Sequence, residues 1–372
     1  MLVVIMVMVA AAGTTSAQDE PLKIVLVVNG VLGDKSFFDS AQSGMERLID
    51  EGYNVEVNTI ELGTDEANRE PGLADAMANL EYDVLITGTW QMGEFLGARV
   101  HQYPDKYFLM YDAPVPYADP AFCVEGCPNV YSVTYLQNEG SFLVGVYAAA
   151  VTTSGIEGTN EDVIIGALGG QDIPVINDFV VGYEQGACLV NPDVQRIVQY
   201  AGGWNDPATG KEIALAMYEQ KADIVFQIAG GTGEGVFEAA LEQDRYAIGV
   251  DSDQAALYVD DKPELANRIL TSMMKNVGFS LYRAVDLHLK GELVYGAEEQ
   301  LGIAEGGVGL AYNDIYFDNT PEYILDLIDA VEMAVDEGDI SIISAFGDDA
   351  YAVGTACADM PEAAFDASMY LE

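Results

Sequence analysis

Residues 222–254 constrain this chain more than any other stretch. Ala222-Asp-Ile-Val-Phe-Gln-Ile228 is a short apolar run that breaks at the glycines of Gly230-Gly-Thr-Gly-Glu-Gly235. An amphipathic segment follows, and a second apolar run, Ala247-Ile-Gly-Val250, ends in Asp251-Ser-Asp253. Short apolar runs bounded by glycine or acid, with a helical period between them, predict a strand, a helix and a parallel strand. Both polar patches then fall at the carboxyl edge of one sheet, where loop amides and helix N-termini line a crevice. The unit predicts an α/β protein built round a small-molecule site.

The same unit recurs along the chain. Strands are predicted at 23–28, 55–60, 82–86, 107–112 and 130–135, with helices at 36–51, 65–80 and 90–103 between them. The pattern restarts with strands at 163–168 and 195–200 and helices at 174–190 and 209–220. Two successive series imply two doubly wound parallel sheets, hence two lobes with a hinged cleft between them. The first lobe is expected to take residues 21–136 with about 272–300, and the second 137–271 with about 301–344. In this reading the run 268–275 and the helix after it cross back to the first lobe. Residues 345–372 read as an acidic tail.

Residues 1–17 form an apolar core closing on Ser16-Ala17, which reads as a secretory signal, so the mature protein is expected to be exported and soluble. No Cys lies near Ala17 to carry a lipid anchor. In an oxidising compartment Cys123 and Cys127, set in a Pro-rich loop expected to be exposed, are disulfide candidates, whereas Cys188 sits in a helical apolar pattern as a small hydrophobe. A zinc site lacks further ligands at suitable spacing. The formal charge of −46 repels nucleic acid and anionic membranes, which excludes both as partners. So acidic a surface fits a high-salt habitat, in which case the unfolding midpoint should rise between low and molar salt.

The glycine turn at 230–235 lacks the Gly-Lys-Ser/Thr of a phosphate loop and the spacing of a dinucleotide fingerprint. It is either a packing turn or a backbone wall for an uncharged ligand. Asp112, Asp172, Asp251 and Asp253 all stand at or just past predicted strand ends, where carboxylates suit the hydroxyls of a sugar. A glycosidase pair is the rival reading. Phe37, Trp90, Phe179 and Trp204 stand near the ends of the same strands or the starts of the helices that follow. Phe179 fits a core plug as well as a site, but Trp204, among Gly, Asn, Asp and Pro, calls for something to stack on it. Lys275 follows an apolar strand and fits a partner carboxylate, a ligand oxygen or plain surface. There is no nucleophile elbow, and both histidines sit in ordinary helical patterns, so no catalysis and no cofactor are expected.

Several runs carry a resemblance to a known family: Gly33-Asp-Lys-Ser-Phe37, Gln137-Asn-Glu-Gly-Ser-Phe-Leu-Val-Gly145, Gly169-Gly-Gln-Asp-Ile-Pro-Val-Ile176, Asn205-Asp-Pro-Ala-Thr-Gly-Lys211, Gln227-Ile-Ala-Gly-Gly-Thr-Gly233 and Gly249-Val-Asp-Ser-Asp-Gln254. In this order they resemble the basic membrane protein family, the PnrA-like nucleoside-binding proteins of ABC transporters. The resemblance implies a type I periplasmic-binding fold that delivers a nucleoside, with purine nucleosides foremost, to a membrane permease; a monomer is expected. It implies that Phe37 and Trp204 sandwich the base while Asp112, Asp251, the turn at Gly230, Gly231 and on to Gly233, and Lys275 hold the ribose; Asp34, Phe38, Trp90, Phe179 and Asp253 complete the expected ligand-binding set. After Ser-Phe the family usually carries an Asn that bonds the base. Phe38 stands there instead, with Asp39 as the expected substitute.

Overall fold

The computed structural model describes residues 20–361 and 364–371; the predicted signal at 1–17 lies outside them. In the first lobe the chain runs β1 (Leu22–Val28), α1 (Phe37–Asp50), β2 (Val55–Glu61), α2 (Arg69–Asn79), β3 (Val84–Gly88), α3 (Trp90–Val100), β4 (Tyr107–Tyr111) and β5 (Val130–Tyr135). It then enters the second lobe through α4 (Gln137–Thr153), β6 (Ile164–Gly169), α5 (Pro174–Val190), β7 (Gln195–Tyr200), α6 (Pro207–Glu219), β8 (Ala222–Ile228), α7 (Glu234–Gln243), β9 (Tyr246–Asp251), α8 (Pro263–Ala266) and β10 (Ile269–Lys275). The last elements are α9 (Val277–Lys290), β11 (Ala297–Leu301), β12 (Val308–Leu310), α10 (Asp314–Asn319) and α11 (Glu322–Asp336).

Two six-stranded sheets result, ordered β11-β5-β4-β3-β1-β2 and β12-β10-β9-β8-β6-β7, and only β12 runs antiparallel to its neighbour. This is the two-lobed type I periplasmic-binding architecture. The central strands are buried throughout because helices cover both faces, as in β3 and β8, where every residue is buried and the few polar ones, Thr87, Asp223 and Gln227, are hydrogen-bonded. Helix α1 instead buries a single stripe, Ala41, Gly44, Met45 and Leu48, at the spacing of one helical face.

The strand at 269–275 departs from expectation. It stays in the second sheet, parallel to β9, because that sheet needs it to cover the far side of β9. Only the next element, α9, packs on α1 in the first lobe, with the two backbones touching where Gly44 meets Gly278. The chain therefore passes between lobes three times, at β5–α4, β10–α9 and β11–β12.

Helix α4 is buried at every position but Glu139 and Thr153. It lies so close to α5 that a Cβ on Gly145 or Gly186 would come within 2.0 Å of the carbonyl oxygen of Tyr183 or Phe142. Cys123 and Cys127 are disulfide-bonded, and both are buried under α3 rather than exposed. Cys188 is not a lone hydrophobe: it is bonded to Cys357, a partner 169 residues away. The C-terminal segment is a strap rather than a tail. Asp178 and Glu184 of α5 accept from its backbone at Ala345 and Gly354, and Arg196 of β7 donates to the carbonyl of Thr355.

Candidate functional site

The carboxyl edges of the two sheets face each other across a cavity of about 440 Å³ lined from both lobes, within the size range of small-molecule sites. Each sheet contributes the residues that follow its strands: Asn29 after β1, Thr89 and Trp90 after β3, Asp112 after β4, Trp204 after β7, Gly230 and Gly231 after β8, Asp251 closing β9 and Lys275 closing β10. Three of the nine positive-φ non-glycine positions among the described residues fall in this lining. Thr89, Asp112 and Asp251 are non-glycine residues with φ of 74°, 67° and 66°. Such left-handed positions persist only when the surroundings hold them, and they mark sites where side-chain direction matters more than local stability.

The charged centre joins the lobes. Lys275 from the second lobe is buried and its Nζ donates to Asp112 of the first. Beside them Asp251 accepts from the Ser36 hydroxyl, again across the cleft. Burial pushes the Asp251 carboxyl up to about 7, against the pull of Lys275 and the Ser36 bond, with Asp34 and Asp112 adding to the rise. Desolvation outweighs the cation because Lys275 is already committed to Asp112. The centre thus holds an acceptor whose charge is costly until something donates to it.

Phe37, Phe179 and Tyr135 surround the Lys275 ammonium, with ring centroids 5.6, 5.2 and 5.1 Å from Nζ. Phe179 is nearly wholly buried and forms the floor, while Trp90 and Trp204 remain partly exposed on the cavity wall. Of the residues singled out from the sequence, Asp34, Phe37, Phe38, Trp90, Asp112, Phe179, Trp204, Gly230, Gly231, Asp251 and Lys275 all line the cavity.

Three acids do not act as expected. Asp253 lies outside the lining, where it accepts from Asn313 and from the Ala256 amide to pin the loop after β9. Asp172 accepts from Asn177 at the surface. Asp39 does not replace the missing Asn, because its carboxylate faces away to take the amides of Gly33 and Lys35. Asp34 does reach the cavity, but its oxygens already accept from the amides of Ser36, Phe38 and Asp39 and so shape the turn into α1. Sequence reasoning passed over Ser36, Asn29 and Arg69. The available signal for Arg69 was a cation opening a helix in a chain with fifteen basic residues.

The lobes are closed on each other. Besides the centre, Lys35 donates to Glu234 at 3.0 Å and to the Tyr258 hydroxyl at 2.9 Å, and Gln254 donates to the Lys35 carbonyl at 3.0 Å. Such an arrangement binds and encloses a solute, and the comparisons with known proteins agree. The family profile described as Bmp, ABC transporter substrate-binding protein PnrA-like, matches residues 22–332. The chain belongs to this family.

Relatives of the Bmp chain include basic membrane protein A of Borreliella afzelii, 32% identical over 313 residues, covering 82% of this chain and 87% of the relative. The ABC transporter nucleoside-binding protein BmpA of Lactococcus lactis subsp. cremoris is 31% identical over 353 residues, covering 90% and 92%. Among solved structures, a solute-binding protein of an ABC transporter system from Aeropyrum pernix K1 superposes with a TM-score of 0.76 at 25% identity, covering 88% of this chain and 95% of that one. This Bmp member is an ABC transporter substrate-binding protein. No helix among the described residues is long and apolar enough to cross a membrane.

Proposed function

We propose that this Bmp protein captures a nucleoside, with purine nucleosides foremost, in the interlobe cavity outside the cytoplasm and passes it as a monomer to a membrane permease. The observation that carries the reading is the conjunction, in one cavity, of carboxylates at Asp112 and Asp251 with the aromatic walls of Phe37 and Trp204. The carboxylates accept from ribose hydroxyls, and the rings offer faces to the base. Donation from a ribose hydroxyl stabilises the charged Asp251 that burial otherwise disfavours, so the ligand supplies what the empty closed cleft lacks. The permease then reads the relative setting of the lobes. The nucleoside-binding relative from Lactococcus lactis supports the same reading.

Thermal unfolding tests it. A nucleoside at a hundred times its dissociation constant should stabilise the protein by about 2.7 kcal/mol, and ribose alone by much less. A shift with free sugars and none with any nucleoside sinks the proposal. Incubation with inosine, adenosine and cytidine should release no free base, which separates capture from hydrolysis.

A further inference from the structure

Among the described residues, the only buried Lys or Arg side chains are Lys275 and Arg69, and both line the cavity. Lys275 is matched by Asp112. Arg69 has no comparable match: Nη1 meets the largely exposed Glu66 at 2.9 Å, and Nε is buried with no partner. Its position is doubly unfavourable. It is the first residue of α2, where the helix dipole repels a cation, and a guanidinium is expensive to bury with donors unpaired. Asn29, on the same cavity wall, is the complementary case. Its amide nitrogen donates to Thr89 Oγ1 at 2.6 Å, whereas its Oδ1 is buried without a donor. The wall therefore carries one unsatisfied donor group and one unsatisfied acceptor.

Along the first sheet Asp112 follows β4, Asn29 follows β1 and Arg69 opens the helix after β2. Glu66 Oε1, which meets Arg69, also accepts from Gln91 in the first turn of α3, so Arg69 stands on the cavity wall beside the start of that helix. With a ribose on Asp112 and Asp251, the base is the part of the ligand left to meet Asn29 and Arg69 in the same cavity. Phe38 contributes a ring to this wall and no hydrogen bond to a base edge.

We propose that Arg69 and Asn29 read the edge of the base and select a 6-oxopurine nucleoside, an inference that rests on the nucleoside reading above. The guanidinium donates to O6 and N7, the bidentate match used wherever Arg reads guanine, and Asn29 Oδ1 accepts from N1–H. Adenine presents an amino group where O6 would be, so donor meets donor and the acceptor at Asn29 loses its N1–H.

Calorimetric titration with guanosine, inosine, 7-deazaguanosine, adenosine and cytidine tests this on the unaltered protein and on Arg69→Met and Arg69→Lys. Guanosine and inosine should bind at least about tenfold more tightly than adenosine or cytidine, and loss of N7 should weaken guanosine binding. Arg69→Met should bring inosine and adenosine within about threefold of each other by weakening inosine, with Arg69→Lys falling between. Equal binding of adenosine and inosine by the unaltered protein overturns the inference while leaving nucleoside capture intact, as does an Arg69→Met protein that keeps the preference. Failure of every nucleoside to bind overturns both. If Arg69→Met does not fold, the unaltered protein's preference and the 7-deaza comparison decide.

Discussion

The two ends of the cavity are built differently. At the sugar end Asp112, Asp251 and Lys275 sit on the last residues of central strands, close to one another and tied across the lobes. At the proposed base end Trp204 comes from a loop after the edge strand β7 and Arg69 from a helix start, and the Arg69 Nε is unmatched. A central strand is fixed by neighbours on both sides and can hold a strained carboxylate. An edge position tolerates exchange. Under the proposed function, the shared part of the ligand would be gripped where the fold is stiffest and the variable part read where it is loosest.

The largest effect that could break this contrast is expected from Asp112→Ala. It leaves the Lys275 ammonium buried without its partner, and losing one member of such a pair costs about 3–5 kcal/mol. Urea unfolding should show that loss, alongside loss of nucleoside binding; a change below 1 kcal/mol would make the centre no stiffer than a surface pair. Asp251→Asn should weaken binding tenfold to a hundredfold, as expected for losing a charged acceptor worth about 1.5–3 kcal/mol. Its effect on the empty protein should be opposite in sign. The native Asp251 carboxyl titrates near 7, above its ordinary range, so the folded state holds a proton that the unfolded chain releases. Stability is then progressively lost as pH rises from about 4 to 7, and Asp251→Asn removes that loss. The variant should melt above the unaltered protein at pH 8 and level with it at pH 4. By the same sign, nucleoside affinity in the unaltered protein should rise with pH up to about 7 and then flatten.

At the base end the effects should be smaller. Trp204→Ala removes one stacking face, worth about 1–3 kcal/mol of affinity, and should leave unfolding in the empty state nearly unchanged. Phe38→Asn, which restores a polar group facing the base, should shift affinity for any one nucleoside by less than tenfold, read by titration. If Phe38→Asn outweighs Asp251→Asn, the ranking of the two ends is reversed.

The sugar end was also the more legible in the sequence. A buried parallel strand announces itself as a short apolar run, and the acid that ends it is then placed by topology alone. Arg69 sits on a helix whose start was read four residues early, at Asp65, so its place facing the cavity could not be derived from spacing. Helix α4 escaped for the opposite reason: with both sides buried it has no polar face, hence no 3.6-residue period. Strand β11, Ala297-Glu-Glu-Gln-Leu301, carries two acids that meet Thr134 and Arg283, so it does not look like a strand. The run at 269–275 was visible as a strand but not which sheet would claim it. The bond between Cys188 and Cys357 joins segments that only the finished fold brings together.

The strap at the C-terminus touches one half of the molecule. Its disulfide and its bonds to Asp178, Glu184 and Arg196 all fall on α5 and β7 of the second lobe. Its covalent and hydrogen-bonded ties therefore act like a splint on a single jaw. Replacing Cys188 and Cys357 together by Ser, which leaves Cys123–Cys127 intact, should soften that jaw without changing how readily the mouth opens.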